Sequence, residues 1–167
     1  MTAAPRRRQT PSVDIIRESP LWESEPDIEA TLQRAIAEAS GGMAPAGVEL
    51  AIVLTDDSSI QALNRLWRGL DKPTNVLSFP ARHRNGGKGA PALLGDIVIA
   101  YETSKQEART QNTPFLHHLA HLTVHGFLHL RGFDHEADDE ADRMERLERQ
   151  ILARLDIPDP YAPHDAG

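Results

Sequence analysis

The chain has 167 residues, 40% of them hydrophobic, and its 25 acidic against 18 basic side chains give a net charge of −7. This length suits one domain with a real core and is too short to expect two, while the acidity argues against a nonspecific polyanion binder with a basic surface. The absence of cysteine excludes disulfides and thiolate metal sites, so any bound metal must use His, Asp or Glu.

Met1 to Pro11 is rich in Ala, Pro, Arg and Thr and is expected to be disordered ahead of a single domain over 12–155. Arg6-Arg7-Arg8 is not followed by the apolar run of a secretory signal, and no stretch reaches the roughly 18 apolar residues of a membrane span. A cytoplasmic protein without a membrane partner is therefore expected. Val13 to Ile16 reads as a first strand. From Pro26 to Ala39, the residues Ile28, Leu32, Ala35, Ile36 and Ala39 recur at the three-four spacing of an amphipathic helix, which Gly41-Gly42 ends. Val48 to Leu54 is an apolar strand. Asp56 and Asp57 then offer an N-cap to a helix continuing over Ser59 to Leu70, with Ile60, Leu63, Leu66 and Trp67 at helical spacing. Asn75 to Phe79 reads as a strand bounded by prolines, Arg82 to Pro91 as a mobile loop, and Ile97 to Ala100 as a strand. Helices follow over Glu102 to Thr110, from Phe115 after Pro114, and over Asp138 to Leu155, whose inner face should carry Met144, Leu147, Ile151 and Leu155. Asp156 to Gly167 is expected to be a loose tail. This mixture predicts an α+β fold: a single domain with a small mixed β-sheet covered by helices.

Residues 125–135, His-Gly-Phe-Leu-His-Leu-Arg-Gly-Phe-Asp-His, carry the strongest chemical signal. On a helix, His125 and His129 share one face about 6 Å apart, both within reach of one tetrahedral ion. Gly132 can adopt the left-handed conformation that stops a helix, and the Phe133-Asp134 turn would return His135 as a third ligand. The expected metal site thus lies on the histidine-bearing helix and the turn after it, holding one Zn2+ or another divalent transition metal. His118 and His121 fall on the same helix face, within an arc of about 80°, so spacing alone leaves four histidines for two places. Only 125 and 129 adjoin the turn. The ligand offsets are those of the metzincin proteases, H-E-x-x-H-x-x-G-x-x-H, but Gly126 stands where their general base would be, which removes the usual route of peptide hydrolysis. Three neutral imidazoles leave a divalent ion its full charge, which favours a phosphate. Arg65, Arg68, Lys72, Arg82, His83, Arg84 and Lys88 also cluster in the middle of the sequence, which leaves room for a local basic groove despite the overall charge.

The histidine segment resembles the signature of the YbeY family, metal-dependent bacterial endoribonucleases of ribosomal RNA. Residues 63–80, Leu-Asn-Arg-Leu-Trp-Arg-Gly-Leu-Asp-Lys-Pro-Thr-Asn-Val-Leu-Ser-Phe-Pro, resemble that family's other marked stretch, and Leu94-Gly-Asp-Ile-Val-Ile99 resembles its following strand. The blocks lie in family order between about Val48 and Leu155; a mild departure is Phe133, where a tyrosine is common. The resemblance implies the same α+β arrangement, with His125, His129 and His135 as the metal ligands. It further implies a single-strand-specific endoribonuclease acting in ribosomal RNA processing, especially maturation of the small-subunit (16S) RNA 3′ end, and in ribosome quality control. Ribosomal or ribosome-assembly proteins that present the RNA are the expected partners. By its position alone Arg68 would be a surface residue favoured by the helix dipole. Through the resemblance it matches the arginine implicated in catalysis, and its planar guanidinium would hold two phosphate oxygens at once. Asp134 would orient a ligand imidazole, or alternatively act as a base.

Two further readings stand beside this one. A metzincin-like metalloprotease is supported by the histidine spacing and opposed by Gly126. A noncatalytic assembly factor whose zinc only fixes the fold is opposed by the ligand count, because structural sites normally close with four protein ligands and only three are in view.

Overall fold

In the computed structural model, which describes residues 10–41, 48–81, 93–133 and 137–161, four strands form one mixed sheet in the order β1-β2-β4-β3. β1 (Ser12–Arg17), β2 (Glu49–Thr55) and β4 (Leu93–Ala100) run parallel, and β3 (Val76–Pro80) pairs antiparallel with β4 at the edge. The expected α+β single domain is therefore what forms. Alternation along the strands divides the sheet into two faces. Leu50, Ile52 and Leu54 of β2, with Ile97 and Ile99 of β4, enter the main core, whereas Val53, Val98 and Ala100 face the opposite side.

The main core lies beneath α1 (Ile28–Ser40) and α4 (Phe115–Leu130), which contribute Ile28, Leu32, Ile36, Leu119, Leu122 and Phe127. α5 (Asp138–Arg154) closes over both helices by packing Met144, Ile151 and Leu152 against Ala35, Ala120, Val124 and Leu128. On the opposite face, α2 (Asp57–Arg68) covers Leu77, Val98 and Ala100 with Ile60. α3 (Tyr101–Thr110) leaves β4 directly and packs between α2 and α4. α4 is thus enclosed on nearly all sides, and most of its residues are buried.

Several local expectations change once packing is known. β1 and β4 are longer than their apolar runs suggested, because hydrogen bonding along β2 carries both ladders past those runs. A short 3-10 turn at Pro20–Ser24 was not foreseen; it buries Trp22 completely, with Nε1 donating to the Thr55 carbonyl at 2.7 Å. In α2 the residues expected on the apolar face divide: Ile60 is buried, but Leu66 and Trp67 are 75% and 66% exposed. Asn64 is buried instead, and its amide donates to the Lys72 carbonyl at 2.9 Å. In α5, Glu148 and Leu152 are buried, while Leu147 and Leu155 are only partly covered. The start of the expected tail packs back on the domain: Ile157 joins the α4–α5 cluster, and the Tyr161 hydroxyl donates to Glu148. The disordered segment expected at the N-terminus, apart from Thr10 and Pro11, the 82–91 loop and the end of the tail lie outside the described residues. Among the described residues no helix is long and apolar enough to cross a membrane.

Candidate metal and phosphate site

The site is built on the C-terminal end of α4. Gly132 takes φ +98°, its N–H donates to the His129 carbonyl at 3.0 Å, and the Phe133 N–H donates to the Leu128 carbonyl at 3.0 Å. This pair of bonds is the Schellman arrangement that satisfies the last helical carbonyls, and the Phe133 ring packs against the cluster holding Leu128, as that motif favours. The turn does more than stop the helix. It brings the Phe133 carbonyl to 2.9 Å from His129 Nδ1, so one imidazole is oriented by the backbone that follows it.

The other imidazole is oriented from α5. His125 Nδ1 lies 2.5 Å from Glu148 Oε1. A carboxylate and a carbonyl accept hydrogen bonds, so each histidine carries its hydrogen on Nδ1 and turns its Nε2 lone pair elsewhere. The two Nε2 atoms converge to 3.1 Å. Two converging lone pairs repel one another and become attractive around a shared cation, which is the chemistry of a metal-binding histidine pair with its outer nitrogens anchored. The residues present therefore fit a divalent ion as two of its ligands. Among the described residues no group of three or more His, Cys, Asp or Glu is arranged to hold a metal; His135, the third expected ligand, lies outside them, as does Asp134.

Glu148 is fully buried on α5 and is the hub behind this pair. Burial pushes its pKa up, but the hydrogen bonds from His121, His125 and the Tyr161 hydroxyl outweigh burial and hold the carboxyl well below its ordinary range. Burial and the neighbouring carboxylate in turn push the Tyr161 phenol well above its usual range. His121 Nε2 sits 3.1 Å from Glu148 Oε2, so His121 reaches His125 through the carboxylate. His118 is buried, with Nε2 at 3.0 Å from Glu107, whose carboxyl also accepts from the Asn75 amide at 3.0 and 3.2 Å. Burial raises the Glu107 pKa, but the bonds from His118 and Asn75 prevail and lower it. Of the four histidines on one face of α4, two turn Nε2 toward carboxylates and two turn Nε2 toward each other.

A cleft of about 640 Å³ opens over this pair, lined among others by Arg68, Thr74, Asn75, Ser78, His125 and His129. Arg68 is the last residue of α2, and the chain beyond it is tied down by Asn64 to the Lys72 carbonyl and by Gln61 to Asp71 at 3.1 Å. Those bonds fix the 71–74 turn that leads into β3, and place the arginine and the histidines around one space. Gly126, by contrast, lies hard against the sheet. A Cβ there would come within 2.9 Å of Ile97 Cγ2 and 3.1 Å of Ser78 Oγ. Ser78 Oγ donates to the Gly126 carbonyl at 3.1 Å, so a glutamate at this position would be driven into β3 and β4.

Sequence reasoning overlooked Glu148, Tyr161, Glu107 and Asn75. For Glu148 a signal existed, since it falls four residues after Met144 and three before Ile151, an acid on an apolar stripe. Tyr161 offered no comparable pattern.

Comparison with known proteins places the chain in a family. The model of the family described as endoribonuclease YbeY matches residues 17–156. The endoribonuclease YbeY of Nitrobacter hamburgensis is 54% identical over 160 residues, 93% of this chain and 84% of that protein. That of Bradyrhizobium diazoefficiens is 55% identical over 157 residues, 91% of this chain and 86% of that protein. The solution structure of TM1509 from Thermotoga maritima, at 21% identity, shares the fold with a TM-score of 0.50, covering 93% of this chain and 99% of that one. The matched span runs from the end of β1 to just past α5 and includes both the histidine segment and the Arg68 stretch, so the chain belongs to the endoribonuclease YbeY family.

Proposed function

We propose that this protein is a divalent-metal-dependent endoribonuclease that cuts single-stranded RNA, with the cleft between Arg68 and the α4 histidines as its active site. The carrying observation is the convergence of His125 and His129 Nε2 at 3.1 Å in the same cleft as an arginine. The relatives named above bear the name endoribonuclease. In this reading His125, His129 and His135 would hold zinc or a related ion, which would supply Lewis acidity and positive charge at the phosphate. Glu148 and the Phe133 carbonyl hold the two α4 imidazoles in the tautomer that offers Nε2. Arg68 clamps nonbridging phosphate oxygens and stabilises charge that grows on them as the bond breaks. The biological setting is ribosomal RNA processing in the cytoplasm, including maturation of the small-subunit RNA 3′ end and ribosome quality control. Ribosomal or assembly proteins deliver the RNA, because an acidic chain binds free RNA weakly. Peptide hydrolysis is disfavoured by the packing of Gly126.

The test is cleavage of a ribosomal RNA fragment by wild type, His129→Ala and Arg68→Ala, each with its metal content measured. Wild type should cut. His129→Ala should lose metal and activity together, and Arg68→Ala should keep metal while losing on the order of a hundredfold or more in rate. A wild-type protein that holds its metal and leaves RNA intact would put the noncatalytic assembly factor ahead.

A further inference from the structure

The outer face of α2 breaks the usual rule for large apolar side chains. Trp67 is 66% exposed and Leu66 75%, at the very end of the helix that delivers Arg68. Among the described residues the indole has one ring contact, with Phe79 of β3 at 5.8 Å between centroids and 61° between planes, which props it without covering it. Beside it, a groove of about 800 Å³ runs along the flank of α2, lined by Leu63 of the helix and by Val53, Leu77, Phe79 and Val98 of the sheet, with Val53 and Phe79 the more open of these four sheet residues. Arg68, Leu77, Ser78 and Pro80 line both this groove and the histidine cleft, so the two spaces meet across the edge strand β3.

Charge fixes what could lie in it. Among the described residues, the only basic one lining the groove is Arg68, on the rim shared with the cleft, while Asp96 and Glu18 also line it. A polyanionic backbone is drawn to the Arg68 rim and repelled by the two carboxylates. A flat, uncharged ring is welcome on the apolar floor, and the carboxylates can accept hydrogen bonds from its exocyclic amino group. Aromatic stacking is also how single strands are commonly gripped without paired bases.

We propose that Trp67 is a stacking platform for a nucleobase adjacent to the phosphate clamped by Arg68, so that single-stranded RNA passes over the β3 edge with its backbone on the cleft side and one base in the groove. This rests on the nuclease reading above and extends it, by giving the enzyme a reason to require an unpaired base next to the cut: a base held in a duplex cannot leave its stack to reach the indole.

The protein itself provides the reporter. It has two tryptophans, and Trp22 is fully buried, so quenching by an added oligonucleotide reports on Trp67. The experiment titrates a short single-stranded RNA into wild type, Trp67→Phe and Trp67→Ala, and repeats binding and cleavage with oligonucleotides carrying one abasic nucleotide at successive positions around the scissile phosphate. Wild type should be quenched, and one abasic position should weaken its binding about tenfold. Trp67→Ala should bind the intact oligonucleotide about tenfold more weakly and be indifferent to that abasic position, while Trp67→Phe should keep most of the affinity. If wild type cuts RNA and the abasic penalties are the same in Trp67→Ala, the platform is wrong and the nuclease reading survives. If wild type neither binds nor cuts any of the oligonucleotides, both fall. Unchanged RNA binding in Trp67→Ala with loss of a bound protein would make the groove a protein-docking surface and overturn the proposal.

Discussion

Gly126 separates this chain from a protease by packing as much as by chemistry. A methyl group there meets Ile97 Cγ2, on a fully buried β-branched side chain in the middle of the sheet that has little freedom to yield. Overpacking costs about 1–3 kcal/mol, partly offset by the ~1 kcal/mol helix preference of alanine over glycine. Gly126→Ala should therefore lose up to about 2 kcal/mol in a urea melt, and Gly126→Glu should fail to fold rather than acquire protease activity. A stable Gly126→Glu protein would show that α4 does not press on β4 as described. Glu148 is the second decisive residue. Replacing it with glutamine keeps the shape but sets an amide among His121, His125 and Tyr161, all of which now bond to the carboxylate. Glu148→Gln should cost about 1–3 kcal/mol of stability and weaken zinc binding about 10–100-fold in a competition titration. Unaltered zinc affinity would mean that the carboxylate does not orient a ligand.

At the scale of the elements, the site depends on clamps between neighbours. Glu107 on α3 binds His118 on α4 and Asn75 at the head of β3, and Asn75 also accepts from the Val76 N–H at 2.7 Å. One carboxylate thus fastens the edge strand and the histidine helix to the same support. The folded state lowers the Glu107 pKa from its ordinary 4.5, so the stabilisation is fully present above that value and disappears as pH falls through the lower folded one. Glu107→Gln should accordingly be less stable than wild type near neutrality, with a gap that narrows as the solution is acidified. Denaturant midpoints measured at a series of pH values check this, and a gap that widened in acid would reverse the assignment. The α2–β3 connection works similarly. Asn64 and Gln61 hold the 71–72 turn, and without them Arg68 would sit on a freely hinged helix end.

For the whole molecule, the net charge of −7 limits how RNA is held. Among the described residues Arg68 lines the cleft, and Arg65, Lys72 and Arg131 are exposed cations next to its lining in the chain or on the same helix. Each neutralised phosphate of a single strand contributes about −0.7 to the slope of log affinity against log salt, so two or three contacts predict a slope near −2. Binding of a short oligonucleotide measured across a salt series should show that shallow dependence. A slope of about −5 or steeper would require a broad basic surface that these residues do not provide. The three layers, helices α1, α4 and α5 on one face and a shorter α2 on the other, also explain why one side of the sheet is sealed and the other keeps an apolar groove.

The sequence by itself determined whatever depends on fixed local spacing. A helix puts residues four apart on one face whatever surrounds it, so the His125–His129 pair was legible, as was the glycine stop at 132, which needs only a backbone free to take positive φ. The α+β class followed from alternating and helical periods for the same reason. Tertiary structure alone decided which apolar stripe is covered. Leu66 and Trp67 share the helical spacing of Ile60, yet stay exposed while Ile60 is buried against Leu77, Val98 and Ala100 of the sheet. It also sets the four histidines apart, with Glu107 and Glu148 against the Nε2 atoms of His118 and His121 and the Nε2 atoms of His125 and His129 3.1 Å from each other. Arg68, Glu148 and Tyr161 reach the site from three separate parts of the chain. No local period encodes such meetings, because they are set by how whole elements pack, and that depends on every buried side chain between them.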